Sequence, residues 1–147
     1  RSGLTETRRA LQALRASPLE ELGLALAVRT LAESTAQRGQ LALEFSGDAL
    51  PEKLSANQEQ QIYRIAQEAL ANVLKHAAAR TLRVQLGSVD GQTRLTVTDD
   101  GQGIDSNANG ANGHYGLQGM RERAALIGAI LAIESSPGQG TTVRLTV

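Results

Sequence analysis

Between Ser55 and Ala78 the apolar positions Ile62, Ile65, Ala66, Ala69, Leu70, Val73, Leu74 and Ala77 step by three and four, which predicts one long amphipathic helix. The pattern then changes period. Leu82-Arg83-Val84-Gln85-Leu86 and Arg94-Leu95-Thr96-Val97-Thr98 alternate apolar with polar, and the Asp90-Gly91 dipeptide between them predicts an antiparallel hairpin with one wet face. Further alternation predicts short strands at Leu41–Phe45, ended by Ser46-Gly47-Asp48, at Ile130–Glu134 and at Thr142–Val147, the last two joined by a Pro137-Gly138-Gln139-Gly140 turn. A helix is predicted over about Leu117–Ile127. Upstream, Leu4, Leu11 and Leu14 recur at helical spacing within Leu4–Ala16. After the Ser17-Pro18 interruption a second helix opens, with Leu19, Leu22, Leu26 and also Leu24 and Leu31 as its stripe, and Gly39 is the expected stop.

Helices and mostly antiparallel strands in mixed order point to an α+β fold, a two-layer sandwich with helices on one face of the sheet and an N-terminal helical segment. The division expected is 1–38 as the end of a helical, dimerising or linking unit and 39–147 as a compact domain. Gly101–Gly116 contains five glycines and three asparagines and few apolar residues, so it is a loop, longer than most connections inside a domain.

Composition narrows the function classes. The 147 residues are 41% hydrophobic and 20% charged, which is globular. Fifteen basic side chains balance fifteen acidic ones, so no global field draws the chain to nucleic acid or anionic lipid, and any phosphate must be held locally. With only Phe45, Tyr63 and Tyr115 as aromatics, base-stacking platforms are missing, and no nucleic-acid partner is expected. The absence of cysteine excludes a thiolate metal site or Cys nucleophile. The longest apolar run, Ala124–Ile133, is half of what a bilayer-spanning helix needs. The chain opens on Arg1 with neither initiator Met nor leader, and is expected to be part of a longer, cytoplasmic protein whose parent could be membrane-anchored.

Four clusters could carry chemistry. On the long helix Glu68, Asn72, Lys75 and His76 form one strip beside the apolar face. An Asn carbonyl suits Mg²⁺, which takes its other oxygens from phosphates and water, and Lys75 could supply charge to those phosphates. The same strip is also what a solvated helix face looks like. At the end of a strand, Asp99-Asp100-Gly101-Gln102-Gly103-Ile104 could accept a purine amine on a carboxylate while glycines let backbone approach a ligand, or could be a plain reversal. Gly113-His114-Tyr115-Gly116-Leu117-Gln118-Gly119 leads into a helix N-terminus, whose amides can hold phosphate. Gly138-Gln139-Gly140-Thr141 alone reads as a turn.

Taken in order, these clusters resemble the ATPase domains of histidine kinases. Glu68–Ala77 resembles the N box, Asp99–Gly103 the G1 box, Gly113–Gly119 the G2 box and Gly138–Thr141 the G3 turn, over roughly Leu54–Val147. Gln67-Glu68-Ala69-Leu70, Lys75-His76-Ala77 and Gly119-Met120-Arg121-Glu122-Arg123-Ala124 are similar to the nitrate/nitrite-sensor subfamily.

The resemblance implies a Bergerat fold binding ATP with Mg²⁺. Asn72 would coordinate the metal, Asp99 would accept the adenine amine, Thr141 would support Asp99 through water, and Gly101 and Gly103 would floor the purine pocket. Gly116, Leu117 and Gly119 would frame the triphosphate, with Ile104–Tyr115, including His114, as lid. Lys75 and His76 would face the phosphates, and Glu68 would position the metal shell. The implied reaction is γ-phosphoryl transfer to a histidine on a dimerisation helix. Neither His76 nor His114 is that acceptor, so the chain is expected to bind nucleotide without phosphorylating itself. The implied partners are its own phosphoacceptor domain, absent here, a second copy in a full-length homodimer, and a response regulator. Ile104 departs from the family's frequent aromatic. Two other readings are an anti-sigma-type serine kinase or related ATPase, disfavoured by the helical N-terminal tail, and a degenerate scaffold, disfavoured because all four boxes keep their polar residues.

Overall fold

A computed structural model describes residues 17–47, 54–103 and 116–147, except for the side chains of Ser17, Pro18, Glu20, His76 and Ala77. The predicted helix at Leu4–Ala16 and the lid residues Ile104 and His114 lie outside these residues. In chain order the elements are α1 (Ser17–Leu22), α2 (Leu24–Gly39), β1 (Ala42–Gly47), α3 (Ala56–Asn72) continued by a π-helical turn (Val73–Ala77), β2 (Thr81–Val89), β3 (Gln92–Asp99), α4 (Leu117–Leu126), β4 (Ile130–Ser135) and β5 (Thr141–Thr146). The α+β expectation holds. The strands form one mixed sheet in the order β1-β2-β3-β5-β4, with β1 parallel to β2 and the other pairings antiparallel.

Alternation decides which face of the sheet is buried. Leu82, Val84 and Leu86 of β2, Leu95 and Val97 of β3, and Val143 and Leu145 of β5 turn inward. They meet Val28 and Ala32 of α2, Ile62, Ile65, Ala66, Ala69 and Leu70 of α3, and Met120 and Ala124 of α4 in a single apolar cluster. The helix α2 therefore shares the core of the sheet. Residues at the intervening positions, such as Arg83, Gln85 and Arg144, leave the opposite face polar.

Local sequence explains the element ends. Ser55 opens α3 with a reciprocal cap, its Oγ accepting from the Gln58 amide at 3.0 Å while Gln58 Oε1 accepts from the Ser55 amide at 2.8 Å. Asp90 and Gly91 close the β2–β3 hairpin with φ of 53° and 82°, the left-handed pair that a two-residue turn requires.

Three details differ from the sequence reading. Helix continuity breaks at Gly23 (φ 85°), which resets the helical phase. The buried stripe is consequently Leu24, Ala27, Val28 and Ala32, while Leu22 and Leu26 are 41% and 47% exposed. The helix ends at Gly39 as expected, but the left-handed residue that caps it is Gln40, whose amide reaches the carbonyls of Ala36 and Gln37. Gly39 has a packing reason instead, since a Cβ there would lie 2.9 Å from Leu74 Cδ2. Finally, the long helix is α-helical only to Asn72, and its last turn widens to π before Ala78, left-handed at φ 52°, ends it.

Candidate functional site

The inward face of β3 runs Leu95, Val97, Asp99, so the alternation that builds the core also delivers a carboxylate to the layer between sheet and helices. Asp99 is 6% exposed. Burial pushes its pKa above the ordinary carboxylate value, and the neighbouring Asp100 charge adds to this. Two backbone amides oppose the shift: that of Gly101, which donates to Asp99 Oδ1 at 2.8 Å, and that of Thr141, the residue paired with Asp99 across β5. Two donors do not exhaust the lone pairs of a carboxylate, so Asp99 retains acceptor capacity for a ligand amine.

The turn after β3 is clamped to the turn before β5. The Gly138 amide donates to the Gln102 carbonyl at 2.6 Å. Gly103 (φ 78°) lies so close to Ser136 that a Cβ would fall on its carbonyl, and Gly140 (φ 81°) stands in the same relation to the Asp99 carbonyl. These two glycines are needed both for their left-handed backbone and for the approach. Ser135 completes the clamp, its hydroxyl 2.9 Å from that of Thr141 and donating to the Gly140 carbonyl at 3.2 Å. The motif reading missed Ser135; its position opposite Thr141 in the β4–β5 ladder is the signal that finds it.

Asp100 points the other way and serves the frame. It accepts from the amides of Arg80 and Thr81, at 2.8 and 2.9 Å, and these hold its carboxyl below the ordinary value. A carboxyl held low in the fold contributes stability that is present above its unfolded pKa and fades as pH falls through the folded one. Asp100→Ala is therefore expected to lower the melting temperature at neutral pH by about 2 °C, and the gap to wild type should close in acid. A pH series of thermal melts checks this; a gap independent of pH would rule it out.

The second group sits on α3. Glu68 and Asn72 are both half-buried, on the turn of α3 that faces the start of α4. Gly116, the left-handed N-cap of α4 (φ 71°), approaches Glu68 so closely that a Cβ would fall on the Glu68 carboxylate. The N-cap, being glycine, offers no side chain to the amides of the first α4 turn. Leu117 is half-buried, and among the described residues nothing lies within 4 Å of a Cβ added at Gly119.

The structure thus brings together Asp99, Gly101, Gly103 and Thr141 in one cluster and Glu68 with Gly116 in another. Lys75 stands on the π turn, exposed, at the rim of a cleft of about 170 Å³ shared with Leu31, Thr35 and Arg38. The backbone of His76 lies in that turn, its side chain outside the described residues. No group of three or more His, Cys, Asp or Glu among the described residues could hold a metal. A hard divalent cation here would accordingly take most of its oxygens from a ligand and water, with Asn72 as a neutral oxygen donor.

Residues 57–147 match the family model of histidine kinase-, DNA gyrase B- and HSP90-like ATPases. Among curated proteins, the chain is 37% identical over 142 residues to the sensor histidine kinase MctS of Rhizobium johnstonii, covering 95% of this chain and 31% of that protein. It is 34% identical to the sensor histidine kinase LiaS of Bacillus subtilis, covering 97% and 39%. The chain therefore spans between 31% and 39% of the length of these relatives. Among solved structures, the histidine kinase domain of the blue-light-activated histidine kinase of Erythrobacter litoralis superposes with a TM-score of 0.68 at 28% identity, over 84% of this chain and 60% of that one.

Proposed function

Because the chain belongs to the histidine kinase-, DNA gyrase B- and HSP90-like ATPase family, we propose that it is the ATP-binding catalytic part of a two-component sensor histidine kinase. Its work is to pass the ATP γ-phosphoryl group to a histidine on a dimerisation helix of the full-length homodimer, for relay to a response regulator. Residues 1–38 are assigned to the end of the dimerisation and linker helices and 39–147 to the ATP-binding domain, into whose core α2 packs Val28 and Ala32. The similarity of Met120-Arg121-Glu122-Arg123-Ala124 to nitrate/nitrite-sensor kinases supports that subfamily. No helix among the described residues is long and apolar enough to cross a membrane.

The observation that carries the reading is Asp99: a buried carboxylate, fixed by the Gly101 and Thr141 amides, on the inner face where the strand ends. Such an acceptor suits the exocyclic amine of adenine, and Gly101 and Gly103 are assigned to the floor of the purine pocket on the resemblance. Asn72 is assigned to Mg²⁺ and Glu68 to ordering the metal's surroundings. The amides of the α4 first turn, with Gly116, Leu117 and Gly119, are assigned to the phosphates. Lys75 and His76 add cationic or donor groups, and Ile104 and His114 are assigned to the nucleotide on the resemblance alone. MgATP, when bound, supplies the phosphoryl group and the metal that neutralises its charge; the chain's own residues bind, orient and exclude water.

Calorimetric titration with ADP and a non-hydrolysable ATP analogue, with and without Mg²⁺, tests the assignment. Saturable binding is expected, tighter for the triphosphate when Mg²⁺ is present. A separately supplied phosphoacceptor domain should then become labelled on histidine from γ-labelled ATP. No heat at millimolar nucleotide overturns the reading.

A further inference from the structure

Helix α4 is lightly anchored. Of its ten residues only Met120 and Ala124 are buried, Leu117 is half-buried against the same core, and Leu126 near its end is 68% exposed. Apolar contact of this kind is non-directional and resists sliding along the helix axis poorly. Yet the first turn of α4 is where the phosphates are assigned, so its axial position bears directly on the site.

Among the described residues, two further contacts bear on that position. Gly116 abuts Glu68 at one end. At the other, Arg123 in the last turn donates from Nη1 to Gln61 Oε1 of α3 at 3.2 Å. The intervals match: Gly116 to Arg123 and Gln61 to Glu68 are each seven residues, roughly 10.5 Å of helix, as two antiparallel helices in fixed register require. Gln61 is itself buried, and its amide nitrogen donates to Asn57 Oδ1 at 3.3 Å, so its oxygen is aimed at Arg123 by a second bond. A guanidinium presents directional donors on a planar fork, which suits it to this fixing role.

We propose that Arg123, through Gln61, is a positioning residue for nucleotide binding: the pair holds α4 in register on α3, so that the α4 N-terminus stays seated against Glu68. The inference rests on the nucleotide-site reading above. It gives Arg123 a role within the fold, whereas Arg121 on the same helix is exposed.

The test measures ADP affinity by calorimetry on the whole chain, well below the melting temperature, for wild type, Arg123→Ala, Gln61→Leu, the double variant and Gln61→Glu. Binding by the wild type is the first check, and its failure would strike the nucleotide-site reading itself. With the wild type binding, Arg123→Ala and Gln61→Leu should each weaken ADP by about five- to tenfold. The double variant should be no worse than either single one, because both remove one link. Gln61→Glu, which keeps an acceptor for Arg123, should stay within about twofold of wild type. Arg29→Ala, in the exposed Arg29–Glu33 pair of α2, is the control and should not move affinity. Lowered melting temperatures with unchanged ADP affinity, or additive losses in the double variant, would overturn the proposal while leaving the nucleotide site standing.

Discussion

Asp99→Asn is expected to weaken ADP binding by about 100-fold or more, near 2.7 kcal/mol, while the nucleotide-free protein becomes no less stable. The amide oxygen of Asn can still accept from the Gly101 amide. Its nitrogen, however, turns a donor toward the place where the adenine amine brings another donor, so the purine loses a charge-assisted bond and meets a mismatch. Stability moves the other way. Burial raises the Asp99 pKa in the fold, so its favourable contribution exists below the unfolded value and is lost as pH rises through the folded one. At neutral pH the wild type carries this cost and the Asn variant does not. Melts at pH 7 and pH 4 should therefore show the variant at least equal to wild type at pH 7, with any advantage shrinking in acid. Retained ADP affinity would remove Asp99 from the adenine role, and an unfolded variant would make it a structural residue.

The largest stability effect should come from a methyl group. Gly140 and Gly138 have nearly the same backbone, φ 81° and 80°, and differ in what lies beside them. An alanine at 138 meets nothing within 4 Å and pays only for a left-handed conformation, about 1–2 kcal/mol. An alanine at 140 would drive its Cβ onto the Asp99 carbonyl and within 3.1 Å of Asp100 Cα. Those are backbone atoms of the central strand and cannot rotate away, so Gly140→Ala should cost upwards of about 4 kcal/mol. Urea unfolding of the two variants side by side measures the difference. Equal destabilisation would mean that the clamp between the two turns is looser than its geometry indicates. Since the same atoms carry Asp99, any folded Gly140→Ala protein should also have lost nucleotide affinity.

The parts of the fold that could be read from the residues are those where one local rule decides. The alternation in β2 and β3 and the Asp90-Gly91 turn specify the hairpin without outside help, and Ser55 with Gln58 marks the start of α3. The order of four polar and glycine motifs made the family recognisable although each motif alone was ordinary. What escaped depends on neighbours distant in sequence. A lone glycine among helix formers does not disclose whether it breaks a helix, as Gly23 does, or only packs closely, as Gly39 does against Leu74. Widening one turn after Asn72 changes no composition and so leaves no trace in the hydrophobic period. The role of Arg123 needed the facing helix: its i±3 and i±4 neighbours are Gly119, Met120, Leu126 and Ile127, none of them a side-chain acceptor, whereas the acceptor is Gln61, 62 positions earlier.

The parallel pairing of β1 with β2 has a consequence for how the chain reaches this fold. The β2–β3 hairpin closes through two residues, a short loop whose entropic cost is small and local. The β1–β2 ladder joins segments on either side of the whole α3 crossover, so its hydrogen bonds are gained only after that long loop has been closed. The topology therefore favours the hairpin as the seed, with β1 joining it across the α3 crossover and β5 joining it across an equally long stretch of chain, both at a larger entropic cost. On that view the carboxylate at the end of β3 belongs to the earliest structure, and the nucleotide pocket is built outward from it.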